Sequence, residues 1–358
     1  MTELEQRRGA IAARLAGLKI DALLVSSPAN VRYLSDYSGS NGLLLITPAE
    51  SHFFTDPRYQ LEAAQKITCK VHVAKGPLIV AASALLKRKK LKKVGFESAW
   101  VPYEAYARLK DALPLGFALH PVGRIIEEQR MVKSAAEIEL IRASVKINSE
   151  AYSRTMKNIR PGLRERDIAA ELEFQMRRLG AEKAAFDTIV AAGAHSALPH
   201  AQPGAHRLSG SELLLIDMGS SLEGYCSDMT RVSYAGVAPK RVRDLYRAVL
   251  EANLAGIDAV RPGIAAGKVD AAARNVLKAH KLDRAFVHAT GHGLGLEIHE
   301  MPRIGKTEKT QLQAGMAITI EPGAYLDGFG GVRIEDTVLV TATGCEVLTP
   351  TSKEFFNF

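Results

Sequence analysis

The chain is poor in cysteine and has no long hydrophobic run. Its three cysteines, Cys69, Cys226 and Cys345, lie far apart and in no CxxC spacing of the kind that binds zinc. An odd number of isolated cysteines is typical of a reducing compartment, where such residues serve packing. No apolar run reaches the roughly 18 residues of a transmembrane helix, and the charged N-terminal stretch lacks the apolar core of a signal peptide. The sequence therefore predicts a cytoplasmic protein with no membrane partner.

The sequence also lacks a basic region with interleaved aromatic residues, which nucleic-acid binding would favour. Much of the formal charge of +8 comes from one run, KRKKLKK from Lys87 to Lys93, which contains no aromatic residue. Such a run is typical of a solvated helix end, here leading into a strand at Val94. We therefore expect no nucleic-acid partner.

The apolar content is high enough for large cores, and the pattern of apolar residues changes after the first third of the chain. With 358 residues and 47% hydrophobic content, the chain is expected to form two domains. In the first third, short apolar strands alternate with helical stretches, which predicts an α/β domain with a mixed sheet covered by helices. Ser134 and Glu137 then make a capping box for a long amphipathic helix through about Lys157. The predicted domains are residues 1–125 and 126–358.

The second region contains two similar halves. Each has a helix, a Pro-Gly break, a second helix and then strands with carboxylates, and the breaks are Pro161-Gly162 and Pro262-Gly263. This echo indicates a duplicated unit with a site between the copies.

The first pair of strand carboxylates lies in LLLIDMGSSLEGYCSDMTRVSY, which predicts a hairpin. A turn centred between Leu222 and Glu223 would place Asp217 directly opposite Asp228, with Cβ atoms about 5 Å apart. Two carboxylates that close repel each other, so they must share a proton or bind a cation.

A second pair lies in ITIEPGAYLDGFGGVRIEDTVLV, where Glu321 and Glu335 are equidistant from Gly328 in a predicted turn. Both glutamates are on apolar strands, where an unpaired buried charge is unfavourable. The repeated geometry favours a cation at the centre.

Histidines lie between the two hairpins, in HATGHGLGLEIHEMP, at His288, His292 and His299. The glycines favour a loop whose backbone approaches the site closely, and the absence of HExxH excludes the helical zinc-protease arrangement. Four carboxylates and one imidazole suffice for two divalent ions about 3.5–4 Å apart, bridged by carboxylate and hydroxide. Oxygen-rich ligands favour manganese, iron or cobalt. The pattern therefore predicts hydrolysis, with the remaining histidines polarising a carbonyl and moving protons.

On these motifs the chain resembles the pita-bread metallopeptidases, which include methionine aminopeptidase, aminopeptidase P, prolidase and the metal-free creatinase. The resemblance covers nearly the whole chain. It implies an α/β (α+β) fold, with an N-terminal creatinase-like domain and a C-terminal pita-bread domain whose pseudo-twofold antiparallel sheet is covered by helices. It also implies two divalent ions per chain, Mn²⁺ first and Co²⁺, Fe²⁺ or Zn²⁺ as alternatives. The matching ligands are Asp217 in IDMG, Asp228 in CSDMTR, His292 in TGHGLGL, Glu321 in IEPG and Glu335 in RIED.

The resemblance also implies roles for residues around the ligands. His200 in LPHAQPG and His299 in IHEMP would hydrogen-bond the scissile carbonyl or the tetrahedral intermediate. Glu321 would be both a ligand and a proton shuttle. Arg333, two residues before Glu335, would orient a ligand.

The N-terminal stretches NVRYLSDYSGSNG and FTDPRY match the accessory domain of aminopeptidase P, prolidase and creatinase. Methionine aminopeptidase lacks that domain, and creatinase lacks the metal ligands, so cleavage of an Xaa-Pro bond remains. Proline removes the amide N–H and constrains the bond, which lets a shaped apolar pocket select it. Phe186 and His299 are the candidate pocket residues, and the substrate is a proline-containing peptide. In this family the accessory domain commonly contributes to a dimer, so we expect a homodimer.

Two substrate classes stay open, because aminopeptidase P takes peptides of various lengths and prolidase takes dipeptides. Arg303 in HEMPRI matches a position that in prolidases can hold the free carboxylate of the C-terminal proline. Short aminopeptidase P-like enzymes can resemble this region too, and the short chain with its SGSNG stretch favours aminopeptidase P. A non-catalytic binding module of the same fold is a third possibility, disfavoured because all five ligands are present.

Overall fold

The computed structural model of this chain describes residues 2–358, which form two compact units. One unit ends at Arg130, and the other runs from Met131 to Phe358. The boundary placed after residue 125 falls at the start of a short helix, Ile125–Arg130, which clusters with the first unit. Among the described residues, no helix is long and apolar enough to cross a membrane.

The first unit is a six-stranded mixed sheet covered by helices, as the alternating sequence pattern predicted. The strand order is β4-β3-β2-β1-β5-β6, with β1 antiparallel to β2 and parallel to β5. The basic run forms the end of α4 and the approach to β5, as expected. The elements are α1 Glu3–Arg14, β1 Ala22–Val25, α2 Pro28–Ser35, β2 Gly42–Ile46, β3 Ser51–Thr55, α3 Gln60–Lys66, β4 Lys70–Val73, α4 Leu78–Lys89, β5 Lys93–Glu97, α5 Tyr103–Ala112, β6 Ala118–Val122 and α6 Ile125–Arg130.

The second unit packs two pairs of helices against sheets that are antiparallel except for the pairing of β12 with the short strand β20. Its two larger sheets have the orders β20-β12-β9-β8 and β14-β13-β15-β18-β19. The elements are α7 Ala135–Met156, α8 Glu165–Arg178, β7 Lys183–Ala184, β8 Ile189–Ala192, β9 Leu213–Met218, β10 Ser220–Leu222, β11 Tyr225–Cys226, β12 Met229–Tyr234, α9 Lys240–Asp258, α10 Ala266–Ala279, β13 Gly291–Gly293, β14 Glu300–Ile304, β15 Ala317–Ile320, β16 Gly323–Leu326, β17 Gly330–Arg333, β18 Asp336–Val340, β19 Cys345–Val347 and β20 Phe356–Asn357.

The two halves of this unit repeat the same local contacts, as the sequence echo indicated. After the first helix of each half, a glycine with positive φ turns the chain, Gly162 at 94° and Gly263 at 81°. The N–H of Gly162 donates to the Leu208 carbonyl at 2.7 Å, and that of Gly263 donates to Leu312 at 2.8 Å. The halves are therefore related as a pseudo-twofold pair.

The first hairpin closes one residue later than the sequence predicted, so the predicted register was wrong. Its turn residues are Glu223 and Gly224, both with positive φ, at 46° and 81°. Such a turn needs a residue tolerant of positive φ at each central position, and glycine meets that need at the second. Asp217 consequently pairs with Thr230, and Asp228 lies diagonally across instead of directly opposite.

The second hairpin has the predicted register. Strands β15 and β18 pair Ile320 with Asp336, and β16 and β17 pair Gly323 with Arg333. Both ladders share one register, so Glu321 and Glu335 face each other in the gap between them.

Helix α7 begins at the predicted capping box. The N–H of Ser134 donates to the Glu137 carboxylate at 2.9 Å, and the N–H of Glu137 donates to the Ser134 hydroxyl at 3.3 Å. Two N–H groups at the start of the helix are thus satisfied reciprocally.

We predict that Ser134→Ala lowers the free energy of unfolding by about 1 kcal/mol, because it removes the capping oxygen. Denaturant unfolding of the full chain measures this. Ser153→Ala, at an exposed position on the same helix, is the control and should be neutral or slightly stabilising. Equal effects of the two substitutions would contradict a capping role.

Candidate metal centre

Strand ends in the second unit bring the proposed ligands together. Asp217 lies near the end of β9, Asp228 precedes β12, Glu321 follows β15 and Glu335 precedes β18. His292 lies in the middle of β13. Asp228, His292 and Glu335 each offer a ligand atom, and these atoms lie within 4.8 Å of one another. The His292 Nε2 atom lies 3.3 Å from Glu321 Oε1.

The backbone of β13 comes so close to its neighbours because its glycines carry no side chain. A Cβ on Gly291 would lie 1.9 Å from the Thr319 carbonyl oxygen, and one on Gly293 would lie 2.2 Å from that of Met301. The sequence predicted this close approach, although the segment is a short strand instead of a loop. The glycines therefore allow β13 to place His292 among the carboxylates.

The carboxylates are buried and crowd one another. Burial raises the pKa of Asp228 well above its usual range, and the charges of Glu335, Asp217 and Glu321 raise it further. The pKa of Glu335 is raised by burial and then by the charges of Glu321 and Asp217. Burial also raises the pKa of Glu321 to about 7. In the metal-free chain, the site therefore favours protonated carboxyls.

The free atoms of these residues fit divalent cations. Asp217 Oδ1 and Asp228 Oδ1 are buried and have no hydrogen-bond partner among residues 2–358. His292 Nδ1 lies 3.0 Å from the Gly293 carbonyl, which assigns the ring proton to Nδ1 and leaves Nε2 as an acceptor. That acceptor faces Glu321 at 3.3 Å and Asp228 at 3.6 Å. Acceptors turned toward one another in a buried site are satisfied by a metal ion.

Arg333 and Thr230 orient two of the carboxylates. The Arg333 Nη2 atom donates to Asp217 Oδ2 at 2.5 Å, and its Nε atom donates to Thr230 Oγ1 at 3.0 Å. The Thr230 hydroxyl donates in turn to Glu335 Oε2 at 2.7 Å. These bonds occupy one oxygen of each carboxylate and leave the other, Asp217 Oδ1 or Glu335 Oε1, available to a cation.

Two residues of this site, Thr230 and Tyr325, were not assigned from the sequence, and His288 was named there only as one of the histidines beside the ligands. Arg333 Nη1 donates to Tyr325 Oη at 2.6 Å, and Tyr325 Oη lies 2.8 Å from His288 Nε2. Burial lowers the pKa of His288 to about 4, so its ring is neutral and accepts from the tyrosine hydroxyl. Thr230 could have been found, because it lies two residues after Asp228 at the spacing of one strand face. Tyr325 carries no such signal.

The loop that carries His200 is held by Glu165 at the start of α8. This buried carboxylate accepts from the N–H of Ala192 at 2.8 Å and from the N–H of Gly204 at 2.9 Å, one before and one after the loop. It also lies 2.9 Å from His195 Nδ1. Glu165 therefore fixes both ends of the loop.

The remaining proposed residues lie around the carboxylates. His200 is exposed, and it lies near enough to His288 and His299 that a charge on its ring would lower their pKa values. The ring of His299 packs edge-on against His292, with centroids 4.4 Å apart. A Cβ on Gly219, next to β9, would lie 2.7 Å from the Phe186 ring. Arg303 pairs with His292 across β13 and β14, so both side chains leave the same sheet face.

We predict that Asp228→Asn stabilises the metal-free chain by about 1–3 kcal/mol at pH 7, because folding must otherwise protonate the buried Asp228 carboxylate or leave it charged among its neighbours, whereas the amide is uncharged at every pH. The raised carboxyl pKa values mean that the folded metal-free chain binds protons more tightly than the unfolded chain. The associated stability is present below the usual glutamate pKa of 4.5 and is lost as pH rises through about 7 for Glu321. Asp228→Asn should reduce the stability that the metal-free chain loses as pH rises.

Thermal unfolding with chelator and with Mn²⁺ measures both effects. Asp228→Asn should also abolish the stabilisation that Mn²⁺ gives the unsubstituted chain. Asp244→Asn, at a surface pair with Lys240, is the control and should leave both unchanged. If Mn²⁺ stabilises the Asp228→Asn variant as much as the unsubstituted chain, Asp228 is not a metal ligand.

We predict that Glu165→Gln speeds amide hydrogen exchange at Ala192 and Gly204 by about tenfold or more. A hydrogen bond to a charged acceptor contributes about 1.5–3 kcal/mol, and the neutral amide cannot replace both acceptors. Native-state exchange at single residues measures this. Glu173→Gln, a carboxylate on the same helix outside these contacts, should leave exchange at both amides unchanged. If exchange at both amides stays as slow in Glu165→Gln as in the unsubstituted chain, Glu165 does not fix the ends of the loop.

Comparisons with known proteins identify the family of both units. The family model described as metallopeptidase family M24 matches residues 139–342, and that of the creatinase/prolidase N-terminal domain matches residues 7–132. An Xaa-Pro dipeptidase of Pyrococcus furiosus is 36% identical over 335 residues, which are 94% of this chain and 95% of the relative.

Solved structures are similar over almost the full length. The structure of an Xaa-Pro dipeptidase from Bacillus anthracis matches with a TM-score of 0.97 at 33% identity, covering 99% of this chain and 100% of that one. An X-Pro aminopeptidase from Thermotoga maritima matches with a TM-score of 0.89 at 34% identity, covering 96% and 100%. With its creatinase-type first unit and its pita-bread second unit, the chain belongs to metallopeptidase family M24.

Proposed function

We propose that this metal-dependent exopeptidase is an Xaa-Pro dipeptidase, which hydrolyses the bond before the proline of a dipeptide. The observation that carries the proposal is Arg303. It lies directly opposite His292 in the β13–β14 ladder, and its side chain is exposed and has no hydrogen-bond or ion-pair partner among residues 2–358. A free guanidinium beside the ligand set suits the carboxylate of a C-terminal proline, which it can bind through two parallel hydrogen bonds.

The two features that favoured aminopeptidase P in the sequence do not discriminate. Chain length is shared, because the Pyrococcus furiosus Xaa-Pro dipeptidase is covered over 95% of its length. The SGSNG stretch has a packing role, since a Cβ on Gly39 or Gly42 would lie 2.3 or 2.8 Å from the Tyr37 ring or its hydroxyl. The dipeptidase alternative is therefore better supported than the aminopeptidase interpretation.

In the proposed reaction, each group of site residues has a separate role. Divalent ions held by the ligand set, with Mn²⁺ our proposed metal, would supply a Lewis acid and an activated water. His200 and His299, outside the carboxylates, would donate hydrogen bonds to the scissile carbonyl oxygen as it becomes negative. The leaving proline nitrogen needs a proton, which the Glu321 carboxyl would deliver. Phe186 would contribute an apolar surface for the substrate.

We predict that the Mn²⁺-reloaded protein hydrolyses Ala-Pro much faster than Ala-Pro amide or Ala-Pro-Ala. The amide and the longer peptide lack a carboxylate on the proline, so they lose the contact with Arg303. Arg303→Gln should raise KM for Ala-Pro by about 10–100-fold with little change in kcat, because the lost contact exists equally in the ground state and the transition state. Steady-state kinetics with all three substrates measures this.

Arg261→Gln, at an exposed arginine elsewhere in the second unit, is the charge-matched control and should leave KM unchanged. Efficient hydrolysis of Ala-Pro-Ala that is insensitive to Arg303→Gln would instead establish aminopeptidase activity. Absence of Mn²⁺-dependent cleavage of every Xaa-Pro substrate would rule out Xaa-Pro specificity.

A further inference from the structure

The C-terminal segment is bonded to the strands that carry Glu321 and Glu335. Lys353 Nζ donates to Asp336 Oδ2 at 2.7 Å and to Asn253 Oδ1 at 3.1 Å. Asp336 and Asn253 are fully buried, at 0% exposure. One ammonium group thus joins β18 to helix α9 behind the metal centre.

Asn253 connects this ammonium to both glutamate strands. Its Nδ2 atom donates to the Ile320 carbonyl at 2.9 Å and to the Ile334 carbonyl at 3.2 Å. These residues immediately precede Glu321 and Glu335. The two donors of a single amide therefore bridge the backbones that hold the two carboxylates, at the gap between the ladders.

Arg231 completes the connection from the other side. It donates to the Glu335 carbonyl at 2.6 Å and to Asp336 Oδ1 at 2.8 Å. It also donates to the carbonyls of Thr351 and Ser352, at 2.7 and 3.0 Å. These bonds hold the C-terminal segment in place, so the ammonium that follows it is fixed relative to Glu335.

The other half of the duplicated unit shows that the fold does not require this ammonium. There Asn148 occupies the corresponding place on α7 and donates to the Met218 carbonyl at 2.9 Å, next to Asp217. Its Oδ1 atom is buried and has no hydrogen-bond partner among the described residues. In the half that carries Asp217, the asparagine thus holds its carbonyl without a cation on Oδ1. In the half that carries Glu321 and Glu335, the Oδ1 atom of Asn253 accepts from Lys353.

We propose that Lys353 is a positioning residue that acts through Asn253 and Asp336 to fix the separation of Glu321 and Glu335, and so raises the affinity for divalent ions. The ammonium on Oδ1 fixes which end of the Asn253 amide faces the two carbonyls. It also supplies the second cation for the buried Asp336 carboxylate. Residues that orient metal ligands typically change metal affinity by 10–100-fold when they are replaced.

Lys353→Met tests this, because it keeps the aliphatic stem and removes the ammonium. Equilibrium dialysis of the full chain against Mn²⁺ should show at least tenfold weaker binding, about 1.4 kcal/mol. The visible spectrum of the Co²⁺-loaded variant should change as well, since the ligand geometry changes. Lys353→Arg, which retains a cation and donors, should bind Mn²⁺ within about threefold of the unsubstituted chain.

Ser134→Ala is the stability control, because it weakens folding at a helix start and touches none of these contacts. It should lower the unfolding temperature and leave Mn²⁺ affinity unchanged. If Lys353→Met unfolds earlier but binds Mn²⁺ as tightly as the unsubstituted chain, the proposal is overturned.

Asn253→Asp, which removes both donors at nearly constant volume, gives a second route if Lys353→Met does not fold. It should weaken Mn²⁺ binding by a similar factor, and unchanged binding would again overturn the proposal. Both measurements concern the metal alone, so their outcome is independent of which peptide the protein cleaves.

Discussion

The crowding of buried carboxylates around one imidazole is the constraint on which the second unit depends. Burial and the charge of Asp217 raise the pKa values of Asp228, Glu321 and Glu335, and among residues 2–358 Arg333 is the cation in direct contact with one of these carboxylates, Asp217. In water such charges would separate, but strand backbones fix them where they are. A divalent ion reverses the sign of this interaction. The arrangement that destabilises the metal-free chain is therefore the arrangement that binds metal.

Duplication provides the rigidity for this arrangement. Each half contributes two carboxylates at strand ends, and in each half a buried asparagine on the first helix holds a carbonyl beside them. Strand ends suit this purpose, because the last ladder bonds fix the backbone while the next residue can leave the pleat. The two asparagines differ in their partners: Asn148 donates to one carbonyl and its Oδ1 has no partner among the described residues, whereas Asn253 donates to two carbonyls and its Oδ1 accepts from Lys353. The hydrogen bond from asparagine to a carbonyl occurs in both halves and therefore belongs to the fold. The ammonium on Oδ1 occurs beside Glu321 and Glu335, and we therefore connect it with the metal centre.

The sequence predicted the helix-covered mixed sheet of the first unit and the bounds of helix α7, because these follow from local patterns. The second hairpin had the right register since its Gly-rich turn is symmetric around Gly328. The predicted register of the first hairpin was wrong by one residue. Its two turn residues are Glu223 and Gly224, and the positive φ of Glu223 is rare for a glutamate and was not expected from the sequence. Contacts such as Thr230 with Glu335, or Lys353 with Asn253, join residues about a hundred positions apart. Local periodicity contains no information on such pairs.

In the function that we propose, specificity for substrate length depends on a different part of the molecule from the metal centre. The dipeptidase from Bacillus anthracis and the aminopeptidase from Thermotoga maritima both match this chain closely, so the shared fold does not select the length of the peptide. Selection needs a group that distinguishes a terminal carboxylate from an amide, and a cation does this by charge. Arg303 lies on β14, the edge strand of its sheet, opposite His292. An edge strand is free to present a side chain to a substrate without disturbing the ladder behind it. If Arg303 binds the terminal carboxylate, as we propose, substrate length can change through one exposed residue while the buried ligands stay the same.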